Sequence, residues 1–219
     1  MSLFKVVGLG PGDPELITLK GYNAIMAADV VFYPKTSLNS AEIILNSLGV
    51  KSGNMKPLEF PIGSDKISIL SQRYAEMIMK AEKSGLHSVY AVEGEPMLYS
   101  TFLDIMPYLQ IEFDVIPGIS SMNGISAAMK IILATKDQTL LVLPAVNDYD
   151  YMEKQILLSR NIVIFKAIRA REVIRKIIEK NKNMEYYIMS HVSTEKERIY
   201  NNIDDIKDYM TIVVIKRYT

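Results

Sequence analysis

The chain has 219 residues, of which 49% are hydrophobic and 23% are charged, a composition typical of a globular protein with one large or two small domains. Its 25 basic and 25 acidic residues cancel, which argues against a broad basic surface for nucleic acid or for an anionic membrane. The chain has no cysteine, so disulfides, thiolate catalysis and cysteine-bound metal are excluded.

The segment MSLFKVVGLG contains too short an apolar run for a signal peptide. No stretch of the chain approaches the ~18 to 20 consecutive apolar residues of a membrane-spanning helix. We therefore expect a soluble, cytoplasmic protein.

Strand-like and helix-like segments alternate along the chain, which predicts an α/β fold. Ser40 can cap the second helix, and Gly49 can end it. The elements predicted before residue 118 are, in chain order, a strand at 3–7, a helix capped by Asp13 or Thr18 that continues to Ala28, a strand at 29–33, a helix at 41–48, a strand at 56–60, a helix at 67–83, and strands at 87–92 and 111–116.

The pattern changes at Ser120, where a helix rich in small residues begins. The acidic and aromatic segment NDYDYMEK (147–154) is interpreted as a linker and the cap of a helix. We expect two α/β domains, 1–118 and 119–219. The elements predicted in the second are a helix at 120–129, strands at 139–143 and 161–165, a basic helix at 169–180, and strands at 185–189 and 211–215.

Three glycines, at positions 8, 10 and 12, follow the first predicted strand. A Rossmann dinucleotide loop requires its third glycine at position 13, where this chain has Asp13. In addition, Pro11 and Pro14 lack the backbone N–H groups that hold a pyrophosphate. The second strand also ends in Tyr-Pro-Lys rather than in the acid that would bind a ribose, so a nicotinamide oxidoreductase is disfavoured.

Four loops rich in glycine, proline and hydroxyl groups follow predicted strands. In open α/β sheets, ligands bind at the carboxyl ends of the strands, so we expect these loops to form one site for a compact polar ligand. The loops are GLGPGD (8–13), YPKT (33–36), EGEPMLYSTF (93–102) and PGISSMNG (117–124).

Over essentially its whole length the chain resembles the tetrapyrrole methylases, a family of S-adenosylmethionine-dependent methyltransferases that builds the corrin ring. GLGPGDPELITLK is similar to the family's opening loop, EGEPMLYSTF to its Gly-Asp-Pro segment, and VIPGISS to its third motif. Within the family, YSTF, ADVVFYP and LEFPI resemble the branch that methylates carbon 20 of precorrin-2 or of its cobalt form. Two positions depart from the family pattern, because Glu95 replaces the usual aspartate and Glu93 replaces a Gly or a Leu-like residue.

The resemblance implies two α/β domains of the class III methyltransferase type, with the active site in the cleft between them, and a homodimer. S-adenosylmethionine is the implied cofactor, a tetrapyrrole is the implied substrate, and no protein-bound metal is expected. The cofactor-binding residues that it implies are Leu9, Pro11, Glu93, Gly94, Glu95, Leu98, Ser120, Ser121, Lys166 and Val192. The implied substrate-binding residues are Gly12, Asp13, Lys35, Ser100, Thr101 and Arg169.

This ligand also explains the acid in the glycine loop. S-adenosylmethionine has no phosphate but carries a sulfonium and an ammonium, which tolerate a nearby carboxylate. Its methyl group is already activated, so orientation and exclusion of water supply most of the rate acceleration. A base is needed only for the proton left on the methylated carbon, and the candidates are Tyr99, Glu59 and Glu95, with water as an alternative.

Several alternatives remain open. A non-catalytic protein that kept the fold is supported only by Glu93 and Glu95, and the methylase of diphthamide synthesis is disfavoured by YSTF and by the short chain. His87 and His191 have no acid at metal-ligand spacing, so we interpret them as structural. Further cations that could face substrate carboxylates, besides Lys35 and Arg169, are Arg73 and Arg171, which are better explained as solvated helix positions.

Overall fold

The computed structural model describes residues 4–61 and 67–218, and the chain divides after Ser120 into two compact units. The first unit alternates strands and helices, as its sequence predicts. Its elements are β1 (Phe4–Gly8), α1 (Leu19–Met26), β2 (Val30–Lys35), α2 (Ser40–Ser47), β3 (Met55–Glu59), α3 (Ile67–Lys83), β4 (Ser88–Val92), α4 (Phe102–Ile105) and β5 (Phe113–Ile116).

The first sheet has the strand order β3-β2-β4-β1-β5, and all of its pairings are parallel. β1 lies between β4 and β5, with Val7 opposite Ala91 on one side and Ile116 on the other. Because the strands are parallel, their carboxyl ends lie at one edge of the sheet. The loops that follow β1, β4 and β5 are therefore neighbours.

Both faces of this sheet are buried, because alternate strand residues point to opposite sides. On one face, Val7 packs in a cluster with Ile25 of α1 and Ile44 of α2. On the other face, Val6 belongs to a cluster with Ile78 of α3 and with α4. The parallel sheet is thus covered by helices on both sides, as such sheets generally are.

The helix termini refine the sequence predictions. Thr18 caps α1 by accepting a hydrogen bond from the Gly21 backbone N–H at 3.1 Å, whereas Asp13 caps a separate 3-10 turn over Pro14–Leu16. The prediction that Ser40 caps α2 is wrong, because Ser40 is already the first helical residue and Asn39, at φ 51°, precedes it. Gly49 follows α2 at φ 80°, a left-handed conformation that suits glycine at a helix end.

The second unit contains a mixed sheet of strand order β6-β7-β10-β8-β9. β6 and β7 are parallel, whereas β10 runs antiparallel to both of its neighbours, β7 and β8. β7 and β8 therefore run in the same direction, and their carboxyl ends flank the beginning of β10. The elements of this unit are α5 (Ser121–Met129), β6 (Leu140–Pro144), α6 (Tyr149–Leu158), β7 (Asn161–Phe165), α7 (Arg171–Lys180), β8 (Met184–Ser190), β9 (Arg198–Tyr200) and β10 (Thr211–Arg217).

Helices also cover both faces of the second sheet. Ile164 packs in a cluster with α6 and α7, while the adjacent Val163 packs with Ile125 of α5 on the opposite face. Asp148 caps α6 by accepting a hydrogen bond from the Tyr151 N–H, which confirms the helix cap predicted in the segment 147–154. The prediction of a linker is wrong for residues 149–154, because they already belong to α6. Within residues 4–61 and 67–218, no helix combines the length and the apolar character needed to cross a membrane.

Candidate functional site

Three glycines bring the backbones of β1, β4 and β5 into direct contact at the carboxyl edge of the first sheet. A Cβ atom added to Gly118 would lie 2.1 Å from the carbonyl oxygen of Gly94 and 2.8 Å from the Cα of Gly8. A Cβ atom added to Gly8 would lie 2.5 Å from the Cα of Gly118. Only glycine fits at these two positions, since the atoms that a side chain would meet belong to the backbone.

A second contact links the loops after β1 and β4. The Gly94 N–H donates a hydrogen bond to the Gly10 carbonyl at 2.7 Å, and the Leu9 N–H donates to the Val92 carbonyl at 2.9 Å. Gly94 adopts φ 74°, and no described atom outside its neighbours lies within 4 Å of where its Cβ would be. The missing side chain of Gly94 therefore faces open space, where a ligand can approach the backbone closely.

Glu95 connects this loop to the loop that follows β5. Its Oε1 accepts a hydrogen bond from the Met97 N–H at 3.0 Å, and its Oε2 accepts one from the Gly118 N–H at 3.0 Å. Both carboxylate oxygens therefore contact backbone donors of the protein. The sequence identifies an acid in this loop but not its partner on Gly118.

The Tyr-Ser-Thr segment leads from this loop into α4. Tyr99 adopts the left-handed φ of 53° and leaves 36% of its surface exposed. The Ser100 hydroxyl donates to the Pro96 carbonyl, and the Thr101 hydroxyl lies 2.7 Å from the Tyr90 hydroxyl. Tyr90 is fully buried, and its burial raises the pKa of the phenol above its ordinary value. The hydroxyls of Ser100 and Thr101 thus have partners within the protein.

The ends of β2 and β3 contribute a charged pair at the same edge of the sheet. The Nζ of Lys35 lies 3.7 Å from Oε1 of Glu59, and the two side chains are 41% and 69% exposed. Together with Thr36, Ser37 and Phe60 they line a cavity of about 650 Å³. A smaller cavity of about 240 Å³, beside Lys5, lies at the opposite edge of the sheet and away from these loops.

The remaining residues of the first glycine loop serve the fold as well. Leu9 is fully buried in the core and Pro11 is also buried. Asp13 accepts a hydrogen bond from the Glu15 N–H at 2.8 Å. Two further predicted residues lie in the loops at this edge of the sheet. Glu93, after β4, is half-buried, and Ser120, after β5, is buried at 7% exposure.

Four of the predicted site residues belong to the second unit. Ser121 begins α5, Lys166 follows β7 and Val192 follows β8, so the last two flank the beginning of β10. The Nζ of Lys166 lies 5.6 Å from the centre of the Tyr209 ring, whereas Val192 is buried. Arg169 is exposed in the 3-10 turn that leads into α7.

Comparison with known proteins gives consistent matches over the chain. The model of the tetrapyrrole (corrin/porphyrin) methylases matches residues 4–207. The chain belongs to this family. A probable cobalt-precorrin-2 C(20)-methyltransferase of Methanocaldococcus jannaschii is 30% identical to this methylase, over 97% of this chain and 95% of the relative. A precorrin-2 C(20)-methyltransferase of a Sinorhizobium species is 26% identical, over 95% and 93% of the two chains.

The methylase also resembles solved structures of the family. A uroporphyrin-III C-methyltransferase of Thermus thermophilus, crystallised with S-adenosylhomocysteine, superposes with a TM-score of 0.74 at 18% identity, over 98% of this chain and 97% of the other. The predicted family and the predicted pair of α/β units of the tetrapyrrole methylase type are therefore confirmed.

Sequence reasoning missed one polar network of this methylase. The carboxylate of Asp208 lies 3.4 Å from Nε2 of His191 and accepts hydrogen bonds from the hydroxyls of Tyr200 and Ser190. The hydrogen bond from Tyr200 and the nearby His191 lower the pKa of the Asp208 carboxyl. This network holds the end of β8, just before Val192. No local spacing relates these residues, so the sequence offers no signal for it.

We expect Asp208→Asn to lower the free energy of unfolding by about 1 kcal/mol at neutral pH, a value reduced because the side chain is 30% exposed. The folded state depresses the pKa of this carboxyl, so its stabilisation is present above the unfolded pKa and is lost as the pH falls through the folded pKa. Urea denaturation at neutral pH and at about pH 3 checks this. The difference from wild type should shrink at the lower pH, and the exposed Asp137→Asn serves as the control. If the difference in unfolding free energy between Asp208→Asn and wild type stays constant with pH, the Asp208 carboxylate does not stabilise the fold as described.

Proposed function

We propose that the protein transfers the methyl group of S-adenosylmethionine to carbon 20 of precorrin-2 or of cobalt-factor II, in cobalamin biosynthesis. The observation that carries this proposal is the edge formed by Gly8, Gly94 and Gly118 in a chain whose full-length relatives are named as C(20)-methyltransferases. Other members of the family act at other ring positions, so the position of methylation is the part of the proposal that needs a direct test.

The residues at the glycine edge fit S-adenosylmethionine. The open space beside Gly94 admits a ligand to the backbone, and Glu93 lies next to it as a carboxylate for a cationic group. When bound, the cofactor supplies an electrophilic methyl group. The residues that we propose to hold it are Leu9, Pro11, Glu93, Gly94, Leu98 and Ser120 in the first unit, and Ser121, Lys166 and Val192 in the second.

Lys35 is suited to bind a carboxylate of the tetrapyrrole. Its ion pair with Glu59 is exposed on both sides, and such pairs contribute only about 0 to 1 kcal/mol, so a substrate carboxylate can replace Glu59 at small cost. Once released, Glu59 is free to accept the proton that leaves the methylated carbon. The other residues proposed to contact substrate are Gly12, Asp13, Ser100, Thr101 and Arg169, with Tyr99 orienting the ring.

Two ligands separate this function from the nicotinamide alternative. We expect isothermal titration calorimetry to detect S-adenosylhomocysteine binding with a dissociation constant of roughly 1 to 100 μM, and to detect no binding of NAD. The expected difference arises because Asp13, Pro11 and Pro14 disfavour a pyrophosphate at the first loop. Binding of NAD without binding of S-adenosylhomocysteine would overturn the proposal.

The ring position is tested by turnover. Metal-free precorrin-2 and cobalt-factor II are each incubated with isotopically methyl-labelled S-adenosylmethionine, and the labelled carbon is assigned by NMR. Label at carbon 20 supports the proposed activity, and the ratio of the two rates identifies the preferred substrate. Label at another carbon would show that the protein methylates a different ring position. Binding of S-adenosylmethionine without turnover would show that the protein is not catalytic.

A further inference from the structure

We propose that Glu95 is a positioning residue, which holds the loop after β5 against the loop after β4 and acts on the cofactor through that loop. The inference rests on the proposed cofactor, and it gives Glu95 a role different from direct ligand binding. Its starting point is that both oxygens of the Glu95 carboxylate accept backbone N–H groups, one from Met97 and one from Gly118.

The two partners of Glu95 lie in the loops that follow β4 and β5, two strands that do not pair with each other. The sheet order places β1 between β4 and β5, so the side chain of Glu95 reaches across the end of β1 to Gly118. The absence of a side chain on Gly8 makes this crossing possible, because a Cβ there would lie 2.5 Å from both the Cα and the N of Gly118. Glu95 therefore links the two loops that flank the end of β1.

The length of the side chain matters for this bridge. An aspartate at position 95 would retain the hydrogen bond to the N–H two residues ahead, since aspartates commonly form such a turn. It would be shorter by one C–C bond, about 1.5 Å, and would lose its reach to Gly118. A glutamine would keep the length but has only one acceptor oxygen, and its NH2 group would face the second N–H donor.

The bridge fixes the segment Pro117–Ser120 before any ligand arrives. A charged acceptor makes both hydrogen bonds stronger than neutral ones. A loop that is already ordered loses less conformational freedom on binding, so removal of the bridge weakens affinity. The ordered loop would contact the cofactor in the ground state and in the transition state alike. Loss of the bridge therefore weakens cofactor binding and leaves kcat nearly unchanged.

The test compares Glu95→Gln and Glu95→Asp with wild type. Hydrogen exchange of the Gly118 amide is measured by NMR in the ligand-free protein, and we expect it to be about tenfold or more faster in both variants. We expect the Kd for S-adenosylhomocysteine to rise by about tenfold in both, with kcat within about threefold of wild type. The exposed Glu76→Gln is the matched control and should change none of these values.

Two results would overturn the inference. Unchanged exchange at Gly118 in both variants would show that the bridge does not order the loop. Wild-type affinity in Glu95→Asp would show that the charge of Glu95 acts on the ligand directly. Protection of the β2 amides, which belong to the same unit as Glu95, reports whether that unit is folded in each variant. If wild-type protein fails to bind S-adenosylhomocysteine, the proposed cofactor is wrong, and the exchange at Gly118 still decides whether the bridge exists.

Discussion

Gly118→Ala will destabilise the first unit by about 3 kcal/mol, the upper part of the range for overpacked sites. The added Cβ would lie 2.1 Å from the Gly94 carbonyl oxygen and 2.9 Å from the Gly8 carbonyl carbon. Because both atoms belong to the backbone, neither can move aside as the end of a flexible side chain would. The strand ends must separate, and we expect S-adenosylhomocysteine binding to be lost with them.

Two other glycines provide matched controls for this variant. Gly53 has no described atom within 4 Å of its Cβ position and no positive φ, so Gly53→Ala should be neutral or stabilising by about 0.4 to 1 kcal/mol. Gly94 also faces open space, but its φ of 74° makes Gly94→Ala cost about 1 to 2 kcal/mol. Urea denaturation measures the free energy of unfolding of the three variants, and we expect it to be lowest for Gly118→Ala and highest for Gly53→Ala. Equal stability of Gly118→Ala and Gly53→Ala would refute the proposed contact of the three strand ends.

Tyr99→Phe will lower kcat/KM by roughly tenfold to a hundredfold, equivalent to about 1.4 to 2.7 kcal/mol, while the melting temperature stays nearly constant. Tyr99 leaves 36% of its surface exposed, so packing accounts for little of its role. Its left-handed φ of 53° costs about 1 to 2 kcal/mol in a non-glycine residue, and strain of this kind commonly marks functional positions. We therefore propose that its hydroxyl orients the substrate.

The control for this variant is Tyr22→Phe, because Tyr22 on α1 has the same 36% exposure and lies outside the loops of the site. It should retain wild-type kcat/KM and stability. Both variants are assayed for turnover and for thermal unfolding on the same preparations. Wild-type kcat/KM in a destabilised Tyr99→Phe would assign the hydroxyl to folding instead of to substrate.

Much of the element order follows from local sequence. The helix predicted over 67–83 is found as α3 (Ile67–Lys83), and the strands before Pro117 lie within a few residues of their predicted positions. These elements are marked by strong periodicity and by glycine or proline at their ends. The family was also predicted correctly, because its motifs are contiguous stretches of the chain.

The structural features that were not predicted either have too weak a local pattern or depend on contacts between residues distant in sequence. β9 is only three residues long and largely exposed, so it has too weak a pattern to be recognised. The antiparallel placement of β10 between β7 and β8 is a property of the assembled sheet. The hydrogen bonds of Glu95 with Gly118 and of Asp208 with Tyr200 likewise join residues from separate loops, whose partners cannot be read from sequence spacing.

The position of β1 in the first sheet has a consequence for synthesis of the chain. β1 precedes β2, β3 and both of its partners in the chain, and those partners, β4 and β5, come from the end of the first unit. Pairings so distant in sequence form slowly, because a long loop must close before they contribute any stability. A nascent chain that ends before Phe113 therefore leaves one edge of β1 without its partner strand. That edge presents a row of backbone donors and acceptors on which another chain can add a strand.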